Sequence, residues 1–151
     1  MEVIYNKQLE FIMEYPIGIF MVENKILINE MIKSFISIKA FKNSYVNIIC
    51  RGSSGAIIAG IFSFTIPNDN KIIYIRKTGE ESHQRSGYSL RSDAINLIVD
   101  DFICTGETIR SIISSLDAHQ GKSVEIDCIC VSGRRMGEYG FEPKYFICGR
   151  D

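Results

Sequence analysis

The run LIVDDFICTGET, from Leu97 to Thr108, joins an apolar segment, two adjacent carboxylates and a Thr-Gly turn, the parts from which a sugar-phosphate site is made. Leu97 to Val99 reads as a buried parallel strand, and TIRSIISSL from Thr108 has the spacing of a helix. Between them Gly106 lets the backbone approach a ligand closely, and the positive N-terminal end of the helix presents amides that suit a phosphate monoester. Asp100 and Asp101 cannot serve that phosphate, because like charges repel. They are instead placed to accept hydrogen bonds from the hydroxyls of a sugar attached to it, so the pattern points to a ribose 5-phosphate. An ordinary strand-to-helix turn with an acidic strand end is the other reading of these residues alone.

Two more segments carry chemistry. RGSSG, Arg51 to Gly55, follows an apolar run from Tyr45 to Cys50, and parallel strands would bring it to the same sheet edge as the acid pair. Gly52, Ser53 and Ser54 can offer amides and hydroxyls to an anion, and Arg51 a fixed positive charge. By themselves these residues fit equally a tight turn with a helix N-cap at Ser53 or Ser54. The polar stretch from Lys77 to Asp93 has two glycines and almost no aliphatic residues, and it is too long for a routine connection.

The Leu97–Thr108 stretch resembles the signature of the type I phosphoribosyltransferases: apolar residues, two acids, two variable positions, then Thr-Gly-x-Thr. Phe102 stands where that family more often has a smaller aliphatic and Cys104 where it has Thr, Ser or Ala, both positions that mainly offer backbone. The resemblance implies an α/β fold, a mostly parallel sheet flanked by helices with a small hood, and a site for phosphoribosyl pyrophosphate. Cys104, Thr105, Gly106, Glu107 and Thr108 would hold the 5-phosphate, and Asp100 and Asp101 the ribose. Mg²⁺ would bridge the ribose hydroxyls and the pyrophosphate, meeting the acid pair through those hydroxyls and water. Arg51, Gly52, Ser53 and Ser54 would hold pyrophosphate. RKTGEESHQRSGYS, Arg76 to Ser89, resembles the catalytic loop of orotate-type members, which makes Arg76 and Lys77 pyrophosphate contacts and Lys77 and His83, with Arg85, candidates for catalysis. Asp101 is also a candidate acceptor for the base's proton.

The tail GEYGFEPKYFICGRD resembles a segment of the hypoxanthine-guanine enzymes. That likeness implies Tyr139 stacked on a purine, Phe141 in a structural role and Asp151 near the site. Where those enzymes place a lysine after the preceding strand, this chain has VSGRR, leaving Arg134 or Arg135 to meet the base. A nucleobase, a purine ahead of orotate, is the expected co-substrate, and a homodimer is a further expectation because members commonly pair. A regulator that binds phosphoribosyl pyrophosphate without turning it over is the alternative, and the loop cations favour the enzyme.

These loops need a scaffold. The chain has 151 residues, 46% of them hydrophobic, enough for one domain with a substantial core over residues 1–151. Its net charge of −1 and scattered cations offer no field for nucleic acid. The five cysteines lack CxxC spacing; Cys50, Cys128, Cys130 and Cys148 read as small buried hydrophobes of a reducing cytoplasm. Glu10, Glu14 and Pro16 interrupt any signal layout, and no apolar stretch approaches a membrane span. The elements expected are a helix over Tyr5–Tyr15, a strand over Ile17–Val22, and a helix over EMIKSFISIKAF capped by Asn29. Tyr45–Cys50 follows as a strand, then the helix AIIAGIFSF, a strand over Lys71–Arg76, the signature strand and helix, Gly121 as a C-cap, and strands over Ser123–Val131 and Lys144–Cys148. His119 is expected to interact with the helix dipole rather than a metal.

Overall fold

Runs of four to nine residues, short for helices and apolar at the buried centres of β1, β3 and β4, pair as a sheet of five parallel strands. The computed structural model describes residues 25–77, 88–134 and 141–148, and of Arg134 the backbone alone. The elements are α1 (Lys25–Ser37), a 3-10 turn (Lys39–Phe41), β1 (Val46–Cys50), α2 (Gly52–Thr65), β2 (Asn70–Tyr74), β3 (Ile95–Ile103), α3 (Glu107–Gln120), β4 (Cys128–Arg134) and β5 (Tyr145–Cys148). The strand order is β2-β1-β3-β4-β5. After β1 the chain winds outward one way to β2, then crosses back to β3 and winds the other way, so β1 and β3 are neighbours whose following loops diverge. The expected helix over Tyr5–Tyr15 and strand over Ile17–Val22 lie outside the described residues.

Alternation along the strands splits the core in two. On one face Ile28, Met31, Ile32 and Phe35 of α1 and Ile58, Ala59 and Phe62 of α2 pack on Val46, Ile48, Cys50, Leu97, Val99, Cys128 and Cys130. Phe35 anchors this layer, its ring centroid 5.2 Å from Phe41 and 6.1 Å from Phe62. On the other face Ile109, Ile112 and Leu116, at helical spacing on α3, cover Ile49, Ile73, Ile98, Ile129 and Val131. Of the cysteines, Cys50, Cys128 and Cys130 are buried, Cys148 is half-buried and Cys104 is exposed. Among the described residues no helix is long and apolar enough to cross a membrane.

Several boundaries differ from expectation. α1 begins at Lys25, which puts Asn29 inside the helix rather than at its cap, because the buried stripe extends upstream to Ile28. α2 begins at Gly52, so Ser53 and Ser54 form its first turn and Arg51 occupies the N-cap position without a side-chain cap bond. β4 starts only at Cys128: Asn96 draws the preceding segment in by accepting from Asp127 N–H and donating to the Glu125 carbonyl, which leaves 123–127 outside the ladder. Gly121 is the expected C-cap, at φ 66°. His119 lies in the last turn of α3 with its ring centroid 4.2 Å from that of Tyr88, whose hydroxyl donates to the Ser115 carbonyl at 3.0 Å.

Candidate active site

In a doubly wound sheet the crevice opens where the two halves diverge, beyond the carboxyl ends of β1 and β3. A cleft of about 570 Å³ occupies that place, lined by Arg51, Gly52, Ser53, Ser54, Lys77, the whole run Asp100–Ile109, and Ser111. Residues that are separate in the chain are brought together: the turn after β1, the strand end and loop after β3, and the residue that leaves β2.

Each wall has a local cause. Gly52 has φ 72°, a conformation that strains any residue with a Cβ, and this lets the chain turn from β1 directly into α2 with Ser53 and Ser54 at the helix mouth. Gly55, one turn in, lies against the sheet: a Cβ there would sit 3.4 Å from Cys50 Cβ and 3.5 Å from the Val99 carbonyl oxygen. Gly106, at φ 76°, makes the corresponding turn into α3. Thr105 braces it: its hydroxyl accepts from Glu107 N–H at 3.3 Å, and its carbonyl accepts from Arg110 Nη2 at 2.8 Å. Both helix N-termini therefore face the cleft, and their partial positive charge favours anions.

The acid pair lies between them. β3 continues through Asp100 and Asp101 to Ile103, four residues beyond the expected strand. Asp101 N–H donates to Asp100 Oδ1 at 2.9 Å, and Phe102 N–H donates to Asp101 Oδ1 at 2.9 Å, which aims both carboxyls from rigid backbone. Ser132 of β4 donates to the Asp101 carbonyl oxygen and ties the strand end to its neighbour. Asp100 is 6% exposed. Burial, a hydrogen bond from its protonated form to Asp101 and the neighbouring carboxylate charge raise its pKa to about 8. Below Asp100, the Cys50 thiol is pushed up to about 12 by burial and by the Asp100 charge, so it stays protonated and inert.

Among the described residues no group of three or more His, Cys, Asp or Glu is gathered as a metal cage. Two adjacent carboxyls suit a hard divalent cation that arrives with its own phosphate and hydroxyl oxygens once Asp100 gives up the proton that burial favours.

Most of the residues expected from the signature and from RGSSG line the one cleft. Lys77 lines it too, whereas Arg76, half-buried, does not, because successive side chains of extended backbone point to opposite sides. His83, Arg85, Arg135, Tyr139, Asp151 and the Arg134 side chain lie outside the described residues. Phe141 packs on the α3-side core, in keeping with a structural role. Four lining residues, Phe102, Ile103, Ile109 and Ser111, were not foreseen. Ser111 follows Thr108 by one helical step, a signal present in the spacing. Phe102 lines the cleft at the end of β3, with its ring against the space beside Gly133 of β4, a neighbourhood spacing could not disclose.

The strand order and the cleft at its switch point define a doubly wound α/β protein with a crevice beyond the carboxyl ends of β1 and β3. The chain belongs to a family within that class: residues 24–148 match the model of the phosphoribosyl transferase domain, which makes this protein a phosphoribosyltransferase. Curated protein sequences contain no match to it. Solved structures share the fold at low identity. A hypoxanthine-guanine-xanthine phosphoribosyltransferase superposes with a TM-score of 0.55 at 15% identity, over 82% of this chain and 70% of that one. A purine phosphoribosyltransferase from Pyrococcus horikoshii Ot3 gives 0.54 at 21% identity, over 83% of each chain. The orotate phosphoribosyltransferase from Aeropyrum pernix gives 0.52 at 17%, over 77% of this chain and 62% of that one.

Proposed function

We propose that this protein, as one domain over residues 1–151, transfers the phosphoribosyl group of phosphoribosyl pyrophosphate to a nucleobase and releases pyrophosphate. A purine is the favoured base and the cytoplasm the expected compartment. The observation that carries the reading is the convergence of two helix N-termini and the Asp100–Asp101 pair on one cleft. That arrangement offers two anion sites separated by hydroxyl acceptors, the layout of a sugar carrying phosphate at one end and pyrophosphate at the other.

In this reading the α3 mouth, Cys104 to Thr108, receives the 5-phosphate through backbone amides and the hydroxyls of Thr105 and Thr108. Glu107 contributes its backbone there and not its carboxylate, which would repel the phosphate. Gly52, Ser53 and Ser54, with Arg51 and Lys77, receive pyrophosphate; Arg76, outside the cleft, takes no part in this reading. Asp100 and Asp101 accept the ribose hydroxyls and would hold Mg²⁺ through them; when bound, that ion neutralises charge on the departing pyrophosphate. As the bond from C1 to pyrophosphate lengthens, a base nitrogen attacks C1 and its proton passes to Asp101. The chain's task is mainly to position reactants and neutralise charge, with Lys77 and His83 acting as the leaving group departs. Tyr139 and Arg134 would meet the base. The purine preference rests on the tail resemblance and on structural relatives whose names are those of purine enzymes.

The test is pyrophosphate release with Mg²⁺ against adenine, hypoxanthine, guanine, xanthine, uracil and orotate, with calorimetry of phosphoribosyl pyrophosphate binding in parallel. Release with a purine supports the proposal, and release with orotate alone replaces the base. Tight binding without release from any base would make the protein a regulator, and no binding at all would remove the role of the cleft.

A further inference from the structure

We infer that Arg110, from outside the cleft, positions the amide that meets the 5-phosphate, its guanidinium holding the Thr105 carbonyl outward and so turning the Gly106 N–H inward; the inference rests on the functional reading above. Arg110 is exposed in the first turn of α3 and does not line the cleft. Its Nη2 reaches back five residues to donate to the Thr105 carbonyl oxygen at 2.8 Å. A cation in the first turn of a helix works against the dipole, whose positive end lies there. The bond to Thr105 is the local reason for a cation at this position.

The consequence follows from the geometry of one peptide. Among the described residues no peptide bond is cis, so the Thr105 carbonyl and the Gly106 N–H lie on opposite edges of a single plane. With the carbonyl held toward Arg110, the N–H is turned toward the cleft, which Thr105 and Gly106 both line. The neighbouring groups are already engaged: Gly106 accepts Arg110 N–H at 2.9 Å, and the Thr105 hydroxyl accepts Glu107 N–H at 3.3 Å. Among the described residues no group accepts the Gly106 N–H. That leaves one donor at the mouth of α3 for an anion.

Glycine makes the restraint necessary. Gly106, at φ 76°, has no Cβ to oppose rotation of the peptide that precedes it. A rotated peptide would present the Thr105 carbonyl oxygen, with its partial negative charge, to the phosphate. Arg110 is thus a positioning residue: it touches no part of the substrate and acts through the orientation of the loop.

Calorimetry and steady-state kinetics on wild type, Arg110→Met and Arg110→Lys, each checked by thermal melting, test the role. The probes are ribose 5-phosphate, which carries the phosphate of this loop alone, and inorganic pyrophosphate, which belongs at the mouth of α2. Arg110→Met keeps the length of the side chain and removes the donor. It should weaken ribose 5-phosphate, and raise the KM for phosphoribosyl pyrophosphate, about tenfold, the effect of one hydrogen bond to a charged group. Pyrophosphate affinity, the base KM and kcat should stay within about threefold, because the 5-phosphate is held alike in the ground and transition states. Arg110→Lys, which keeps a donor, should recover most of the loss. The ratio of wild type to Arg110→Met should persist at about 0.5 M salt, where an effect of charge at a distance is screened. A wild type that binds ribose 5-phosphate and an Arg110→Met variant that binds it equally well would overturn this role alone. So would equal weakening of both probes, a loss that Arg110→Lys leaves unrestored, or a ratio that disappears with salt. A wild type that binds neither probe and turns over no base removes the functional reading and this role with it.

Discussion

Replacing Asp100 by Asn should make the ligand-free protein more stable in mildly alkaline solution and nearly inactive at once. In the folded chain the Asp100 carboxyl titrates at about 8 against an ordinary value of 3.8, chiefly because it is buried and secondly because Asp101 accepts its proton in a hydrogen bond and repels its charge. A carboxyl whose folded value is raised binds its proton more tightly in the native state than in the unfolded one. Its contribution therefore favours folding fully below pH 4 and is lost as pH rises from about 4 to about 8. At 1.36 kcal/mol per pH unit the whole window amounts to about 5 kcal/mol at pH 8. The cleft opens on one side of the carboxyl and solvates part of the charge, so a gain of about 2 kcal/mol is expected from removing it. Asn preserves the geometry: its carbonyl can accept Asp101 N–H as Oδ1 does at 2.9 Å, and its amide can donate to Asp101 as the protonated acid does. Urea unfolding of wild type and Asp100→Asn at pH 5 and pH 8, without Mg²⁺ or phosphoribosyl pyrophosphate, should show a gap in favour of the variant that widens with pH. Turnover should fall about a hundredfold or more, as ribose acceptors are lost where charge develops. A variant no more stable than wild type at pH 8, or a gap that does not grow between the two pH values, would refute the reasoning.

Other outcomes follow from the same geometry. Binding of phosphoribosyl pyrophosphate with Mg²⁺ at pH 7 should release close to one proton, since the cation needs Asp100 ionised; calorimetry in buffers of different ionisation enthalpy reads the number, and EDTA should abolish the release. Lys77→Ala should lower kcat more than it raises the KM for phosphoribosyl pyrophosphate, about tenfold against twofold, because its charge meets a leaving group that is most anionic in the transition state; equal effects would make it an ordinary ground-state contact. Phe62→Ala should cost about 3–5 kcal/mol in denaturant unfolding, because the ring is fully buried between α1 and the sheet and packs edge-on to Phe35. A loss below about 1 kcal/mol would mean that α2 can collapse into the space.

What the sequence alone determined is chemistry carried by neighbours in the chain. The carboxylates, the Thr-Gly turn and the helix that follows are within a dozen residues of one another, so local pattern suffices to raise the expectation of a phosphate loop beside hydroxyl acceptors. The strands were legible for the same reason: the centres of β1 and β3, Ile48–Cys50 and Leu97–Val99, are apolar because both their faces are covered, while the ends of elements depend on long-range contacts. α2 starts at Gly52 because its φ of 72° turns the chain directly from β1 into the helix, and the segment before β4 is held to β3 by Asn96, some thirty residues earlier in the chain. The tertiary structure decided what lies beside what. That β1 neighbours β3, so that RGSSG and the acid pair share a cleft, depends on the crossover of the chain, which no local pattern encodes. The same holds for the proton on Asp100, since an acid titrates near 4 in a solvated chain and near 8 only where α2, β1 and Asp101 enclose it. It holds also for Phe102, whose ring lies over space left open because the residue across the sheet, thirty-one positions later, has no side chain. Spacing reports periodicity along one segment; burial, dielectric and the facing of distant side chains are properties of the assembled sheet.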